Sequence, residues 1–142
     1  MSEGLRVDDA LEPVIYRVRP ETTLGEILNT MVGNRVGAVP VVGERSEVLG
    51  IITSGDVLDQ LLRDSPTDDG PPAVDRLTAR DIMTRTVLCV AEGQALKDAA
   101  RMMVNKGIEQ LPVVREGELV GIVTRSKVLR ALHRSRKKTE ES

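Results

Sequence analysis

Thr53-Ser54-Gly55-Asp56 sets a hydroxyl and a carboxylate three positions apart, where the apolar run Val48 to Ile52 gives way to a helical pattern. Two chemistries fit this spacing. In a capping box, the threonine hydroxyl accepts from a backbone N–H and the aspartate reciprocates. In a ligand site, the same helix N-terminus offers free N–H groups and partial positive charge to a phosphate. Thr53 would add a hydroxyl donor, and Asp56 could accept from the hydroxyls of a ribose. The pattern recurs as Thr124-Arg125-Ser126-Lys127, with Lys where Asp stood. An ammonium only donates, so it cannot serve a ribose. A cation in the first turn also opposes the helix dipole. Lys127 is therefore either a solvated side chain carried at small cost or, with Arg125, part of a surface facing an anion. The two sites are expected to be unequal.

The elements that position these groups are also written twice. Ala38-Val39-Pro40-Val41-Val42 is echoed by Gln110-Leu111-Pro112-Val113-Val114, 72 positions later, and Gly50-Ile51-Ile52-Thr53 by Gly121-Ile122-Val123-Thr124, 71 positions later. The offset changes inside a turn, where duplicated structure tolerates an indel. In the first copy, Val14 to Val18 reads as a strand. Thr22 or Thr23 caps a helix with Leu24, Ile27, Leu28 and Met31 on one face, and Gly33 stands at its end. Val39 to Val42 and Val48 to Ile52 follow as strands, and Ser54 to Arg63 as a helix with Val57, Leu58, Leu61 and Leu62 on one face. The second copy gives Thr86 to Val90 as a strand. Gln94 to Lys106 is a helix with Leu96, Ala99, Ala100, Met103 and Val104 inward, ended by Gly107. Leu111 to Val114 and Leu119 to Val123 form a hairpin over Glu116-Gly117, and Ser126 to about Arg136 is the last helix. Thr78-Ala79-Arg80-Asp81 reads as a capping box before Met83. Each copy is β-α-β-β-α and small for an independent core. The chain divides into a first repeat at 12–63, a turn-rich acidic linker at 64–76, a second repeat at 77–134 and a charged tail at 135–142.

Proline cannot donate to a ladder, so Pro40 and Pro112 are expected at an edge or strand start, leaving neighbouring backbone groups open to a cleft. Gly37, Ala38 and Val39, with Gln110 and Leu111 in the second copy, are the candidates to line it. Tyr16 is the only aromatic residue of the chain, so it either packs in the core or lines a pocket. Without Phe or Trp, a flat ligand must sit between aliphatic side chains rather than on an aromatic platform.

Composition removes other classes. At 40% hydrophobic and 30% charged the chain reads as globular, and a net charge of −2 argues against a whole-surface nucleic-acid binder. The single Cys89 forms no intrachain disulfide, reads as a small buried hydrophobe, and with the single His133 makes no zinc site. There is no nucleophile–base set and no GxGxxG or GxxxxGK[ST] motif, so no enzyme, cofactor or metal is expected. The N-terminus lacks an apolar signal core and no run approaches the ~18 apolar residues of a membrane span, so the chain is placed in the cytoplasm, off the membrane.

The sequence resembles the cystathionine-β-synthase domain pair, or Bateman module. The resemblance rests on Asp81-Ile82-Met83-Thr84 opening the second copy, the apolar-Pro-Val-Val strand in both, and Gly50-Ile51-Ile52-Thr53-x-x-Asp56 in the first. It implies an α/β fold of two pseudo-twofold-related repeats packed sheet against sheet. It implies an adenosyl ligand such as AMP, ADP, ATP or S-adenosylmethionine between them, with Asp56 on the ribose and the strand backbone from Gly37 to Pro40 and from Gln110 to Pro112 reading the adenine edge. It also implies a homodimer formed through helices, with Met31, Met102, Leu61 and Leu132 as contacts. The function so implied is sensing, with a shift of state passed to an effector protein. Two alternatives stand beside it. One is a ligand-free dimerisation or interaction module. The other is a nucleic-acid-associated protein using the basic run Arg125, Lys127, Arg130, Arg134, Arg136, Lys137 and Lys138. That run is otherwise a solvated helix end, and no interleaved aromatic favours the nucleic-acid reading.

Overall fold

Thr23 resolves the choice of cap: its side chain accepts from the backbone N–H of Glu26 and opens α1 (Leu24–Asn34), which buries Leu24, Ile27 and Met31. The computed structural model describes residues 4–14, 16–64, 70–85 and 88–141, with backbone alone for 138–141. α1 runs past Gly33 to Asn34, and the left-handed residue that ends it is Arg35, at φ 56°. The next elements are β1 (Ala38–Val42), β2 (Val48–Thr53), α2 (Ser54–Arg63) and two one-turn helices, α3 (Ala73–Arg76) and α4 (Ala79–Ile82). The second copy gives β3 (Val90–Ala91), α5 (Leu96–Lys106), β4 (Gln110–Arg115), β5 (Glu118–Thr124) and α6 (Arg125–Glu141). The fold is mixed α/β, with a two-stranded sheet β1-β2 and a three-stranded sheet β3-β4-β5.

The chain forms two compact units, residues 15–87 and residues 1–14 with 88–142. Their borders are not those of the sequence repeats. In the first unit, Ala73, Ala79 and Ile82 join one core with Val18, Leu24, Ile27, Met31, Val39, Val41, Ile52 and Val57. The stretch read as linker therefore ends in core structure at Ala73, and the opening of the second copy belongs to the unit that holds the first. Ser65 to Asp69 of that linker lie outside the described residues. In the second unit the same exchange runs the other way. Val7 and Ala10, in a 3₁₀ turn (Val7–Ala10), share a core with Val90, Leu96, Ala99, Met103, Leu111, Val113, Val123, Val128 and Ala131.

Besides the bridges Thr23–Thr78 and Arg6–Ala95, each exchanged head is fastened to a strand by an antiparallel bridge. Ile51 and Thr84 trade N–H···O bonds of 3.1 and 2.9 Å, and Glu12 and Ile122 trade bonds of 2.9 and 2.8 Å. A glycine makes each bridge fit. A Cβ on Gly50 would lie 2.8 Å from the Thr84 carbonyl oxygen, and one on Gly121 would lie 2.6 Å from that of Glu12.

The strand expected at Val14 to Val18 shrinks to a single parallel bridge between Val18 and Val41, and Ile15 lies outside the described residues. Pro40 is the cause. Val18 N–H donates to the Pro40 carbonyl and Val42 N–H to the Val18 carbonyl, at 3.0 and 2.9 Å. The next rung would need an N–H on Pro40 toward Tyr16, and proline has none. In the second copy the strand is Val90–Ala91, pairing with Val113 and Val114, while Thr86 and Val87 lie outside the described residues.

Three apolar residues expected inward face outward instead: Leu58 and Leu62 of α2 and Val104 of α5 are 59%, 85% and 78% exposed. Each sheet is too narrow to cover the whole apolar stripe of its helix. Gly107 ends α5 at φ 64° as its position suggests, and the hairpin turns through Glu116 and Gly117 at φ 51° and 82°. Cys89 is half-buried rather than buried, and burial pushes its thiol up, which favours the protonated form.

Thr78 opens α4 with the expected capping box: its N–H and hydroxyl donate to Asp81 Oδ2 at 2.8 and 3.0 Å. The Thr78 backbone N–H, helped by the hydroxyl, holds the Asp81 carboxyl below its ordinary 3.8. A depressed carboxylate adds stability that is complete above the ordinary value and is lost as pH falls through the lowered one. Asp81→Asn should therefore flatten the acid limb of the stability–pH curve below about pH 4, read by urea denaturation across pH. Gly50→Ala and Gly121→Ala should each cost about 1–3 kcal/mol by overpacking. Gly33→Ala, whose Cβ meets nothing within 4 Å, should be neutral or stabilising by up to ~1 kcal/mol in the same urea titrations.

Candidate functional site

The register of each hairpin sets the candidate groups side by side. Ala38 pairs with Thr53 across β1-β2, and Gln110 with Thr124 across β4-β5. The helix that follows is tied to the start of the first strand. Ser54 N–H donates to the Gly37 carbonyl at 2.8 Å, and Arg125 N–H to that of Glu109 at 3.0 Å.

In the first half-site the capping box is complete. Thr53 N–H and Thr53 Oγ1 donate to Asp56 Oδ2 at 2.8 and 3.0 Å, and Asp56 N–H donates to Thr53 Oγ1 at 3.3 Å. Both bonds to the carboxylate fall on Oδ2, so among the described residues Oδ1 is left to face a further donor. Thr53 is exposed and Asp56 half-buried. Gly37 and Ala38 are accessible beside them, but the Val39 side chain is fully buried in the core and Pro40 is buried too. Pro40 is neither at an edge nor at a strand start. It is the third residue of β1, with Ile51 on one side and Val18 on the other. It is tolerated there because the bridge to Val18 uses only its carbonyl. Tyr16 is half-buried against the core of the same unit, so it packs there and keeps one accessible face.

The second half-site differs in more than one residue. Lys127 N–H donates to Thr124 Oγ1 at 3.3 Å, and Thr124 Oγ1 lies 3.2 Å from Ser126 Oγ. The Arg125 side chain turns to the end of α5, where Nε donates to the Ile108 carbonyl at 3.2 Å and Nη2 to the Met103 carbonyl at 3.3 Å. The Met103 carbonyl belongs to the last turn of α5, at the negative end of its dipole, where a cation is favoured, and the Ile108 carbonyl follows just past the helix end. Leu111 is fully buried and Pro112 is buried, while Gln110 keeps partial exposure. Lys127 Nζ lies 4.0 Å from Glu12 Oε1, on the head segment of the same unit. Glu12 carries no motif that marks it. Only aligning the two copies from the head bridges outward would have drawn attention to it.

Among the described residues no group of three or more His, Cys, Asp or Glu side chains could hold a metal ion. No helix there is long and apolar enough to cross a membrane. An apolar groove of about 470 Å³ lies between α5 and α6, lined by Ala100, Met103, Val104, Val128, Leu129 and Leu132 with Arg125 at its edge. It has little to offer a polar ligand.

The CBS domain matches this chain twice, at residues 7–63 and 79–134. The chain belongs to the CBS-domain family. The uncharacterized protein MJ1225 of Methanocaldococcus jannaschii is 32% identical over 126 residues, which is 89% of this chain and 42% of that protein. The chloroplastic CBS domain-containing protein CBSX1 of Arabidopsis thaliana is 32% identical over 138 residues, 82% of this chain and 58% of that protein. This CBS-domain chain thus spans about half the length of these curated relatives. Among solved structures, CBSX2 of Arabidopsis thaliana in complex with AMP superposes with a TM-score of 0.77 at 29% identity, over 94% of this chain and 99% of that one.

Arg125→Met should loosen the end of α5. The loss of the two carbonyl contacts should lower stability by about 1 kcal/mol in urea denaturation, the scale of a cation at a helix C-terminus. Lys127→Met, which leaves α5 untouched, should change stability by less than half as much.

Proposed function

We propose that this CBS-domain chain is a non-catalytic cytoplasmic sensor. In this reading it binds an adenine nucleotide or S-adenosylmethionine-type ligand and passes its occupancy to a partner protein. One observation carries the reading: among the described residues the carboxylate of Asp56, one turn into α2, uses only Oδ2, and it lies near exposed Gly37 and partly exposed Ala38. The AMP complex of CBSX2, similar over nearly the whole chain, supports it. Oδ1 of Asp56 would accept from ribose hydroxyls while Oδ2 keeps the cap. The first turn of α2 would face the phosphate. The Gly37–Ala38 backbone would read the adenine edge, and aliphatic side chains would flank the base. Such a ligand changes the state of the protein only through different affinities for two states.

The exposed apolar helices support a homodimer. Val32, Leu58 and Leu62 in one unit, and Val104 and Leu129 in the other, are 59–85% exposed. Val32 and Val104 are equivalent positions of the two copies, as are Leu58 and Leu129, so the pattern is built in twice. A second copy of the chain would cover them. Leu61, Leu132 and Met102 are half-buried beside these residues and remain suitable contacts, whereas Met31 is buried in the core and is not one. The basic face of α6, with Arg130, Arg134 and Lys137 exposed, supports the nucleic-acid alternative, which requires binding that weakens steeply with salt.

Calorimetry and thermal melts against AMP, ADP, ATP and S-adenosylmethionine test the sensor. Ligand at 100 times its dissociation constant should add about 2.7 kcal/mol of stability. No heat and no melting shift with any of the four would sink the reading. Asp56→Ala should weaken the bound ligand by about 1.5–3 kcal/mol. Loss of stability with unchanged affinity would leave Asp56 a cap and nothing more.

A further inference from the structure

The two half-sites have exchanged the position of their acidic residue. By the 72-residue offset, Glu12 of the second unit stands where Thr84 stands in the first, and by the 71-residue offset Lys127 stands where Asp56 stands. One half-site therefore has its carboxylate on the helix and a hydroxyl on the head. The other has an ammonium on the helix and its carboxylate on the head. The head is not loosely placed: both backbone groups of Glu12 bond to Ile122, and Gly121 gives room for that approach. The side-chain pair is loose by comparison. Nζ and Oε1 are 4.0 Å apart, and the Lys127 and Glu12 side chains are 40% and 35% exposed. An ion pair this open holds its partners weakly. A phosphate, with more charge and more acceptor oxygens than a carboxylate, is the stronger partner for the same cation.

We infer that Glu12 is an internal competitor for Lys127 and sets how strongly the second half-site prefers a phosphorylated over an unphosphorylated nucleoside. This inference rests on the nucleotide-binding reading. In the ligand-free protein the Glu12 carboxylate stands in for the ligand's anion. A bound phosphate takes Lys127 from it, and Glu12 limits the affinity gained. A neutral nucleoside has nothing with which to displace it.

The test compares AMP with adenosine by calorimetry at fixed salt, in the natural protein and on an Asp56→Ala background that removes the ribose acceptor of the first half-site. Each is combined with Glu12→Gln, Lys127→Gln and both. Glu12→Gln should raise the AMP-to-adenosine affinity ratio several-fold with adenosine affinity unchanged. Lys127→Gln should collapse the ratio, and adding Glu12→Gln to it should restore little. AMP binding with a ratio that Glu12→Gln leaves unmoved overturns the inference alone. So does a ratio raised equally with and without Lys127, or loss of all AMP binding on the Asp56→Ala background. No AMP binding by the natural protein overturns the nucleotide reading and this inference with it.

Discussion

A pair of missing side chains governs the structure of this protein. Gly50 and Gly121 leave room for a strand segment from the opposite copy to come within hydrogen-bonding distance of β2 and β5, where any Cβ would collide with a carbonyl oxygen. Behind each bridge comes an apolar turn, Ala79 to Ile82 in one unit and Val7 to Ala10 in the other, that completes a core otherwise open to water. A copy of this size is small for an independent core. Exchange of heads is how each copy acquires the rest. The same bridges carry Thr84 and Glu12 to the edge of the sheet, so the constraint that closes the cores also chooses which side chains stand beside the helix starts.

Those helix starts combine two duties at one place. A helix N-terminus must satisfy its first N–H groups, and Thr53 with Asp56 does so locally. A carboxylate has more acceptor capacity than a cap consumes, so capping leaves Asp56 able to face outward. In the second copy Lys127 cannot cap, and Thr124 alone meets its N–H. The charge is balanced from the head instead.

Much of this was legible in the sequence. The two copies, the helix faces centred on Leu24, Ile27 and Leu96, the hairpin at Glu116-Gly117 and the capping boxes all follow from short-range rules of period and spacing. What was hidden depends on long-range partners. Val39 and Leu111 sit next to accessible residues in sequence, yet each opens a run of consecutive strand residues buried in the core. Arg125 reads as a cation near an anion site, but its acceptors on Met103 and Ile108 are chosen by how α5 and α6 meet. Leu58 and Leu62 continue an apolar stripe that the narrow sheet cannot cover. Gly33 reads as a helix stop, but Asn34 continues the helix by donating from its side chain to the Thr30 carbonyl at 2.9 Å, and Arg35 takes the left-handed position. Ala73 was hidden for the opposite reason, since a small residue in a proline-rich stretch shows no period.

The exchange of heads also imposes an order on the newborn chain. A ribosome delivers residues from the N-terminus, yet the body that begins at Tyr16 finds its missing wall only when Ile82 and Thr84 have emerged. The head at Val7 to Glu12 is made before its partners, which lie at Glu92 to Leu96 and, later still, at Ile122. At about 5–20 residues per second, that head waits several seconds without its strand partner. Until those residues are made, Val7 and Leu11 lack the core they pack against in the folded unit. The acidic residues beside them, Asp8, Asp9 and Glu12, set charge against that apolar surface.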